Sequence, residues 1–207
     1  MPHVPQERVT AFTDAAVAIA LTLLVLPLVD NAREAAGISL PTMLHHYGDN
    51  FLAFTLSFLV IARFWRVHRR QYQALAHLDE GLVVLNLAWL FGIVFLPVPT
   101  ALLVGSAHSM HDGAGLYAIN LLFIGLVAFT MTIWIRRHPE LWEPEVDRDW
   151  LRESAWRSGA ACVVMAINIP IAFWLGSEGL LVLLLLPASQ RFSNLLGHRG
   201  FLRDRAS

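Results

Sequence analysis

The chain has 207 residues, of which 56% are hydrophobic and 15% are charged, and its net charge is −1. Soluble domains average about 45–50% apolar and about 25% charged residues, so a soluble protein of this size has too little core to hide the apolar excess. The composition therefore excludes a soluble globular protein and indicates a lipid environment. The near-neutral charge gives no reason to expect a nucleic-acid partner.

Six apolar stretches follow one another along the chain, and each is close to the roughly 20 residues that a membrane-spanning helix needs. They cover residues 9–29, 50–67, 82–105, 116–135, 159–175 and 179–196. The stretches are continuous rather than alternating and are longer than barrel strands of about 10 residues, so they predict helices. We predict an all-α polytopic membrane protein, a single six-helix unit over residues 1–207 with no room for a catalytic domain.

All 15 basic residues are arginine, and their positions predict the topology. With the N-terminus in the cytoplasm, 14 of the 15 arginines lie on the cytoplasmic side and only Arg33 lies outside. This asymmetry follows the positive-inside rule. It predicts two cytoplasmic termini, a cytoplasmic connector at residues 136–157 between the fourth and fifth spans, and a multi-pass protein of the plasma membrane.

The first span contains an acidic residue, Asp14, which is costly in lipid and marks a functional site by default. Arg8 cannot neutralise it on the same helix, because six residues place the two side chains about 120° apart. Asp14 should instead meet a donor on another helix. The candidates near the same depth are Arg63, Arg66, His68 and Asn86. From the residues alone, Asp14 is either a structural carboxylate that ties helices together or a proton relay.

Several residues of the first helix are spaced so that they lie along one stripe of its surface: Arg8, Phe12, Ala15, Ile19, Thr22, Leu23 and Leu26. The apolar members of the stripe would ordinarily face lipid or a protein core. Thr22 would ordinarily donate to the carbonyl of its own helix, four residues earlier. The spacing alone therefore leaves these roles open.

The first helix resembles a known signature. The string Arg8-x-x-x-Phe12-Thr13-Asp14, followed by Ala18-Ile19-Ala20-x-Thr22-Leu23-Leu24, is similar to that of prokaryotic members of the lysosomal potassium channel family called transmembrane protein 175. The family motif is written R-x-x-x-F-S-D, and Thr13 keeps the hydroxyl of its serine. Further similarity covers Ser57-Phe58, Arg63-Phe64-Trp65-x-x-His68 and Phe95-Leu96-Pro97.

The resemblance implies a homotetramer of six-helix subunits whose first helices line a central pore. It assigns Ile19 to the narrowest apolar position, Leu23 and Leu26 to further apolar rings, and Thr22 to a hydroxyl layer linked with potassium preference. It assigns a third role, the bracing of the pore helix at its cytoplasmic end, to the motif Arg8, Phe12, Thr13 and Asp14. Candidate partners of that motif on other helices are Trp65, His68 and Asn86.

We therefore predict a potassium-permeable cation channel in which apolar rings control wetting of the pore. The Thr-Val-Gly-Tyr-Gly filter is absent from the sequence, so the Thr layer predicts weak-to-moderate selectivity. The alternatives are a proton-coupled secondary cation transporter that uses Asp14, and a membrane scaffold without flux. Partners are further copies of the chain, the bilayer, and potassium and other monovalent cations.

Enzyme and metal functions find little support in the sequence. No hydrolase motif or phosphate-binding glycine loop occurs, so we predict no enzymatic activity. Two histidine pairs, His45-His46 and His108-x-x-His111, fall in predicted outer loops and would suit weak zinc binding or a pH effect. We predict no metal site and no cofactor other than the permeant potassium ions.

Overall fold

A computed structural model describes residues 6–104, 107–144 and 148–176. These residues form α-helices and one short 3-10 helix at Pro139–Leu141, and no β-strand. The α-helices are α1 (Gln6–Leu23), α2 (Leu26–Glu34), α3 (Leu40–Tyr72), α4 (Glu80–Phe95), α5 (Pro97–Leu102), α6 (Ala107–Arg137) and α7 (Arg148–Leu175).

Five stretches of these helices are long and apolar enough to cross a membrane: Gln6–Glu34, Leu40–Tyr72, Glu80–Leu102, His111–Arg137 and Glu153–Leu175. They contain four of the first five predicted spans in full, and residues 82–102 of the third. The sixth predicted span (179–196), the turn before it and the C-terminus lie outside the described residues. The six-span count and the side on which each terminus lies therefore stay predictions.

Two of the predicted spans are each broken into two helices by proline. The first span breaks at Leu24–Val25, because Pro27 has no N–H to donate to the carbonyl of Leu23. Pro97 has the same effect on the third span, which divides into α4 and α5 at Leu96. The two prolines that cause these breaks are visible in the sequence, although the apolar stretches continue across both positions.

The second span is longer than its apolar stretch. α3 begins at Leu40, ten residues before the predicted start at 50, and bends at Tyr47, whose backbone is not helical (φ −113°, ψ 16°). Residues 136–157, predicted as a connector, contain the last two residues of α6 and the first turns of α7. Helix therefore extends beyond the apolar stretches at the arginine-rich ends of α3, α6 and α7.

α6 is the central helix of the described bundle. It packs against α7 on one side and against α4 and α5 on the other, while α4 also packs against α1. Its buried side chains Tyr117, Ile124 and Met131 meet a core that includes Trp89 and Ile93 of α4. Glycine allows one of these close approaches, since a Cβ at Gly92 would lie 2.5 Å from the Ile124 side chain.

The arginine-rich ends of the helices gather on one side of the bundle. Gln6 at the start of α1 donates to the carbonyl of Tyr72 at the end of α3 (2.7 Å). The α3–α4 loop pairs with the segment after α6 through Ala76 N–H to Leu141 O (2.8 Å) and Glu143 N–H to Ala74 O (3.1 Å). We call this side the arginine-rich end.

Asp79 joins two elements at this end. One carboxylate oxygen accepts from the backbone N–H of Leu82 (2.8 Å) and so caps α4, while the other accepts from the indole N–H of Trp134 on α6 (2.9 Å). The side chain therefore fixes where α4 begins and how close it lies to α6.

Replacing Asp79 with alanine should lower the free energy of unfolding by about 2 kcal/mol, because it removes a helix cap and a hydrogen bond to a charged group. Denaturation by sodium dodecyl sulfate in mixed micelles, followed by circular dichroism, measures the change. The Asp79→Asn variant keeps a capping oxygen, so its free energy of unfolding should decrease less. An Asp79→Ala effect no larger than that of the exposed Glu140→Ala would contradict the dual role.

Candidate functional site

One face of α1 is packed against the rest of the bundle, and the opposite face is uncovered. The packed face consists of Thr13, Val17, Ala20 and Leu24, all buried. The uncovered face carries the predicted stripe, with Phe12 59%, Ile19 58%, Leu23 38% and Leu26 53% exposed. Arg8, Ala15 and Thr22 are exposed on it as well. The chain therefore leaves open the face to which the family resemblance assigns a pore.

The uncovered face is apolar at the depth of Ile19. No charged residue occurs between Asp14 and Asp30. Ile19 and Leu23 lie one turn apart on α1, whereas Leu26 begins α2 beyond the break at Leu24–Val25. The three apolar side chains of the prediction thus lie on two helical segments rather than on one straight helix.

Thr22 is the polar group among these apolar residues. Its hydroxyl donates to the backbone carbonyl of Ile19 (2.7 Å), three residues earlier in the helix rather than the expected four. Donation uses the only hydroxyl hydrogen and leaves the oxygen lone pairs available as acceptors. The exposed Thr22 can therefore offer an oxygen to a cation even while it bonds to its own helix.

Asp14 meets its donor on α3. The indole N–H of Trp65 donates to the Asp14 carboxylate (2.7 Å). Trp65 is one of the three partners that the resemblance suggested for the motif, and it is not among the four candidates that charge and depth suggested. The guanidinium of Arg69 lies 5.5 Å from the centre of the Trp65 ring, within range of a cation–π contact. Trp65 therefore contacts both a carboxylate on α1 and a guanidinium on its own helix.

A buried chain of hydrogen bonds lies beside this pair. The Thr13 hydroxyl donates to the carbonyl of Val9 (2.8 Å) and accepts from the side-chain amide of Asn86 (2.9 Å). The Asn86 carbonyl oxygen is 2.8 Å from Nε2 of His68, which must therefore carry the hydrogen. Thr13, Asn86 and His68 are all buried, and they connect α1, α4 and α3 in that order.

Aromatic rings fix the orientation of His68. Its imidazole lies between Tyr72 and Trp89, with ring centres 4.3 and 4.2 Å away and planes 23° and 25° apart. Tyr72 also accepts the Gln6 hydrogen bond through its carbonyl. Sequence reasoning missed Tyr72 and Trp89, because nothing in their spacing along the chain relates them to the first helix. It missed Gln6 because that residue precedes the first predicted span, although α1 begins there.

The sequence motif of α1 divides between the two faces of the helix. Thr13 and Asp14 point towards α3 and α4 and join α1 to them, which is the geometry that a brace requires. Arg8 and Phe12 lie on the uncovered face and are exposed. A bracing role for this second pair therefore depends on contacts outside the single subunit.

The histidines that the structure describes form no cluster with other metal ligands. Among the described residues, no group of three or more His, Cys, Asp or Glu side chains is placed to hold a metal ion. His45 and His46 lie in the first turns of α3, and Nδ1 of His111 is 2.9 Å from the carbonyl of Phe173. The side chain of His108 lies outside the described residues.

A double-mutant cycle tests the bond between α1 and α3. Trp65→Phe and Asp14→Ala should show a coupling free energy of about 1.5–3 kcal/mol, as expected for a hydrogen bond to a charged acceptor. Unfolding titrations in mixed micelles measure it. The matched control is Trp156→Phe with Asp14→Ala, since Trp156 is 82% exposed, and these two changes should be additive. Additive effects in the Trp65 cycle would contradict the bond.

The chain resembles known proteins over most of its length. The family model described as endosomal/lysosomal potassium channel TMEM175 matches residues 8–97. A potassium channel from Streptomyces collinus is 30% identical over 185 residues, which are 85% of this chain and 89% of that protein. The human endosomal/lysosomal proton channel TMEM175 is 24% identical over 210 residues, which cover 93% of this chain but only 41% of the human protein.

The fold also matches a solved structure. The crystal structure of a lysosomal potassium-selective channel TMEM175 homologue from Chamaesiphon minutus aligns with a TM-score of 0.74 and 25% identity, over 89% of this chain and 97% of that one. The described helices, the motif on α1 and the extent of the Streptomyces match agree, and the chain therefore belongs to the TMEM175 family.

Proposed function

We propose that this protein is a subunit of a homotetrameric, potassium-permeable cation channel whose pore is lined by α1. The observation that carries the proposal is the division of α1 into a packed face and an uncovered face. Thr13 and Asp14 hold one side of the helix against α3 and α4, so the side with Ile19 and Thr22 stays exposed. The names of the Streptomyces and Chamaesiphon relatives, potassium channel and potassium-selective channel, support the choice of ion.

Several copies are needed because one helix face cannot enclose a pore. Soluble and membrane oligomers of one chain close by rotational symmetry, which places the same face of every copy on the axis. Four copies would surround the axis with four Ile19 side chains at one level. The exposed Arg8 and Phe12 would then lie at subunit contacts near the arginine-rich end.

Rings of branched apolar side chains can close a pore without blocking it sterically, because water leaves a narrow apolar passage. Ile19 is the most exposed of the three predicted ring residues, and Leu23 and Leu26 would form further rings beyond it. The Pro27 break lies between Leu23 and Leu26, so the Leu26 ring is carried by α2.

Thr22 would supply the polar layer between these rings. Four hydroxyl oxygens at one level are fewer ligands than the carbonyl cage of a dedicated potassium filter, so we propose weak-to-moderate potassium preference. The hydrogen bond from Thr22 to Ile19 supports this role, because it turns the hydroxyl hydrogen into the helix and leaves the lone pairs for the ion.

The proton-coupled transporter alternative assigns Asp14 to a relay. The donor that Asp14 meets is an indole N–H, which has no lone pair with which to receive a proton. We therefore propose that Asp14 anchors α1 rather than transferring protons. The protein would act in the plasma membrane as a multi-pass channel, without enzymatic activity and with no cofactor other than the permeant ions.

Replacing Ile19 with alanine should increase potassium flux into proteoliposomes several-fold, because a smaller ring wets more readily. The matched control is Leu52→Ala, which removes the same amount of apolar side chain from an exposed position on α3 and should leave flux unchanged. Flux should persist when a protonophore clamps the pH. Flux that stops under the clamp, or that Ile19→Ala leaves unaltered, would contradict a pore at Ile19.

Replacing Thr22 with valine keeps the shape and removes the oxygen, so the potassium-to-sodium permeability ratio should fall towards one. Thr22→Ser should retain the ratio. Thr130→Val is the matched control, because Thr130 is also exposed and donates to its own helix at Leu126 O (2.8 Å). Reversal potentials under bi-ionic conditions measure the ratio, and an unchanged value in Thr22→Val would rule out the hydroxyl layer.

A further inference from the structure

A cavity of about 170 Å³ lies between α3, α6 and α7 near the arginine-rich end, on a different side of α3 from the one that holds α1. Its charged lining comes from Arg63 and Arg70 on α3 and from Glu153 and Arg157 on α7. We name it the arginine cavity. We propose that the arginine cavity binds the phosphate headgroup of an anionic phospholipid.

The charge of the lining favours an anion. Among the described lining residues there are three guanidinium groups and one carboxylate, that of Glu153, which lies 3.2 Å from Arg157. Arg63 on α3 and Arg157 on α7 line the cavity from two helices. Guanidinium groups bind phosphate through paired hydrogen bonds, so this lining suits a phosphate group.

Two hydroxyl groups add neutral donors. Ser154 and Ser158 lie one turn apart on α7 and both line the cavity beside Arg157. A hydroxyl can donate to a phosphate oxygen without adding charge. The cavity volume of about 170 Å³ leaves room for a phosphate group.

The rest of the lining favours a lipid over a free phosphate ion. Phe64 and Val67 on α3 and Cys162 and Met165 on α7 form an apolar wall next to the charged one. A free ion gains nothing from this wall, whereas the glycerol and first acyl carbons of a phospholipid would cover it. Basic pockets between membrane helices are known places for such headgroups.

The position of the cavity links it to the helix that holds α1. Arg63, Val67 and Arg70 follow one face of α3 at helical spacing, whereas Trp65 and His68 lie roughly 140–200° from Arg63 around the helix, on the other face. A lipid held by the first face would tie α3 to α7 directly behind the residues that hold Asp14 and Asn86. Its headgroup would therefore stabilise the support of α1 without touching the uncovered face.

Binding of short-chain lipids to the purified full-length chain in neutral detergent tests the proposal. Dioctanoyl phosphatidylglycerol and dioctanoyl phosphatidylcholine are titrated separately, and native mass spectrometry gives the fraction bound. The wild type should prefer phosphatidylglycerol. Arg157→Gln should weaken phosphatidylglycerol binding about tenfold, as expected for the loss of a charge-assisted hydrogen bond. It should weaken phosphatidylcholine binding less, because the choline group neutralises the charge of that headgroup. No flux is measured, so the result is independent of the proposed channel activity.

Further variants and a competitor distinguish the outcomes. Because Arg157 is half-buried, Arg70→Gln at an exposed position provides a second test that spares the packing and should also weaken binding. Arg136→Gln, exposed at the end of α6 outside the cavity, should bind as the wild type does. The proposal would be overturned if the two lipids bound equally, or if Arg136→Gln weakened phosphatidylglycerol binding as much as Arg157→Gln does. It would also be overturned if inorganic phosphate at the same concentration displaced the lipid.

Discussion

The structure depends on how α1 is held by its polar side chains. In a bilayer the helices gain little from hydrophobic association with one another, so interhelical hydrogen bonds and close packing decide which face of a helix turns inward. Asp14 bonds to Trp65 on α3, and Thr13 bonds through Asn86 on α4 to His68 on α3. Breaking either connection would leave a buried polar group without a partner, which is costly where no water can replace it.

The uncovered face of α1 is the consequence of these two connections. One face of α1 packs against α3 and α4, and the buried residues Thr13 and Val17 lie on that face. Ile19, Thr22 and Leu23 are thereby directed away from the subunit core. Support for this arrangement comes from the whole bundle, because α4 is itself positioned by α6 and by the Asp79 cap.

The proposed lipid site and the residues that hold α1 lie on two different faces of α3. Arg63 and Arg70 lie on the face of α3 that borders α7, whereas Trp65 and His68 lie on the face that borders α1 and α4. One helix therefore carries a charged surface suited to lipid headgroups and an uncharged surface suited to buried hydrogen bonds. These residues lie within eight consecutive positions of the sequence. They fall on two different faces only because each residue is rotated about the helix axis relative to the one before it.

The sequence by itself determined the lipid-facing character of the chain, its helical class and the stripe of α1, because apolar run length and a period of 3.6 residues are local properties. It also required an interhelical donor for Asp14, since Arg8 lies on a different face. Only the tertiary structure decided that this donor is Trp65 rather than Arg63 or Arg66. The reason is physical: the three residues lie at a similar depth, and which of them faces α1 depends on the rotation of α3, which its contacts with α1, α2 and α5 and its hydrogen bonds to α4 and α6 determine.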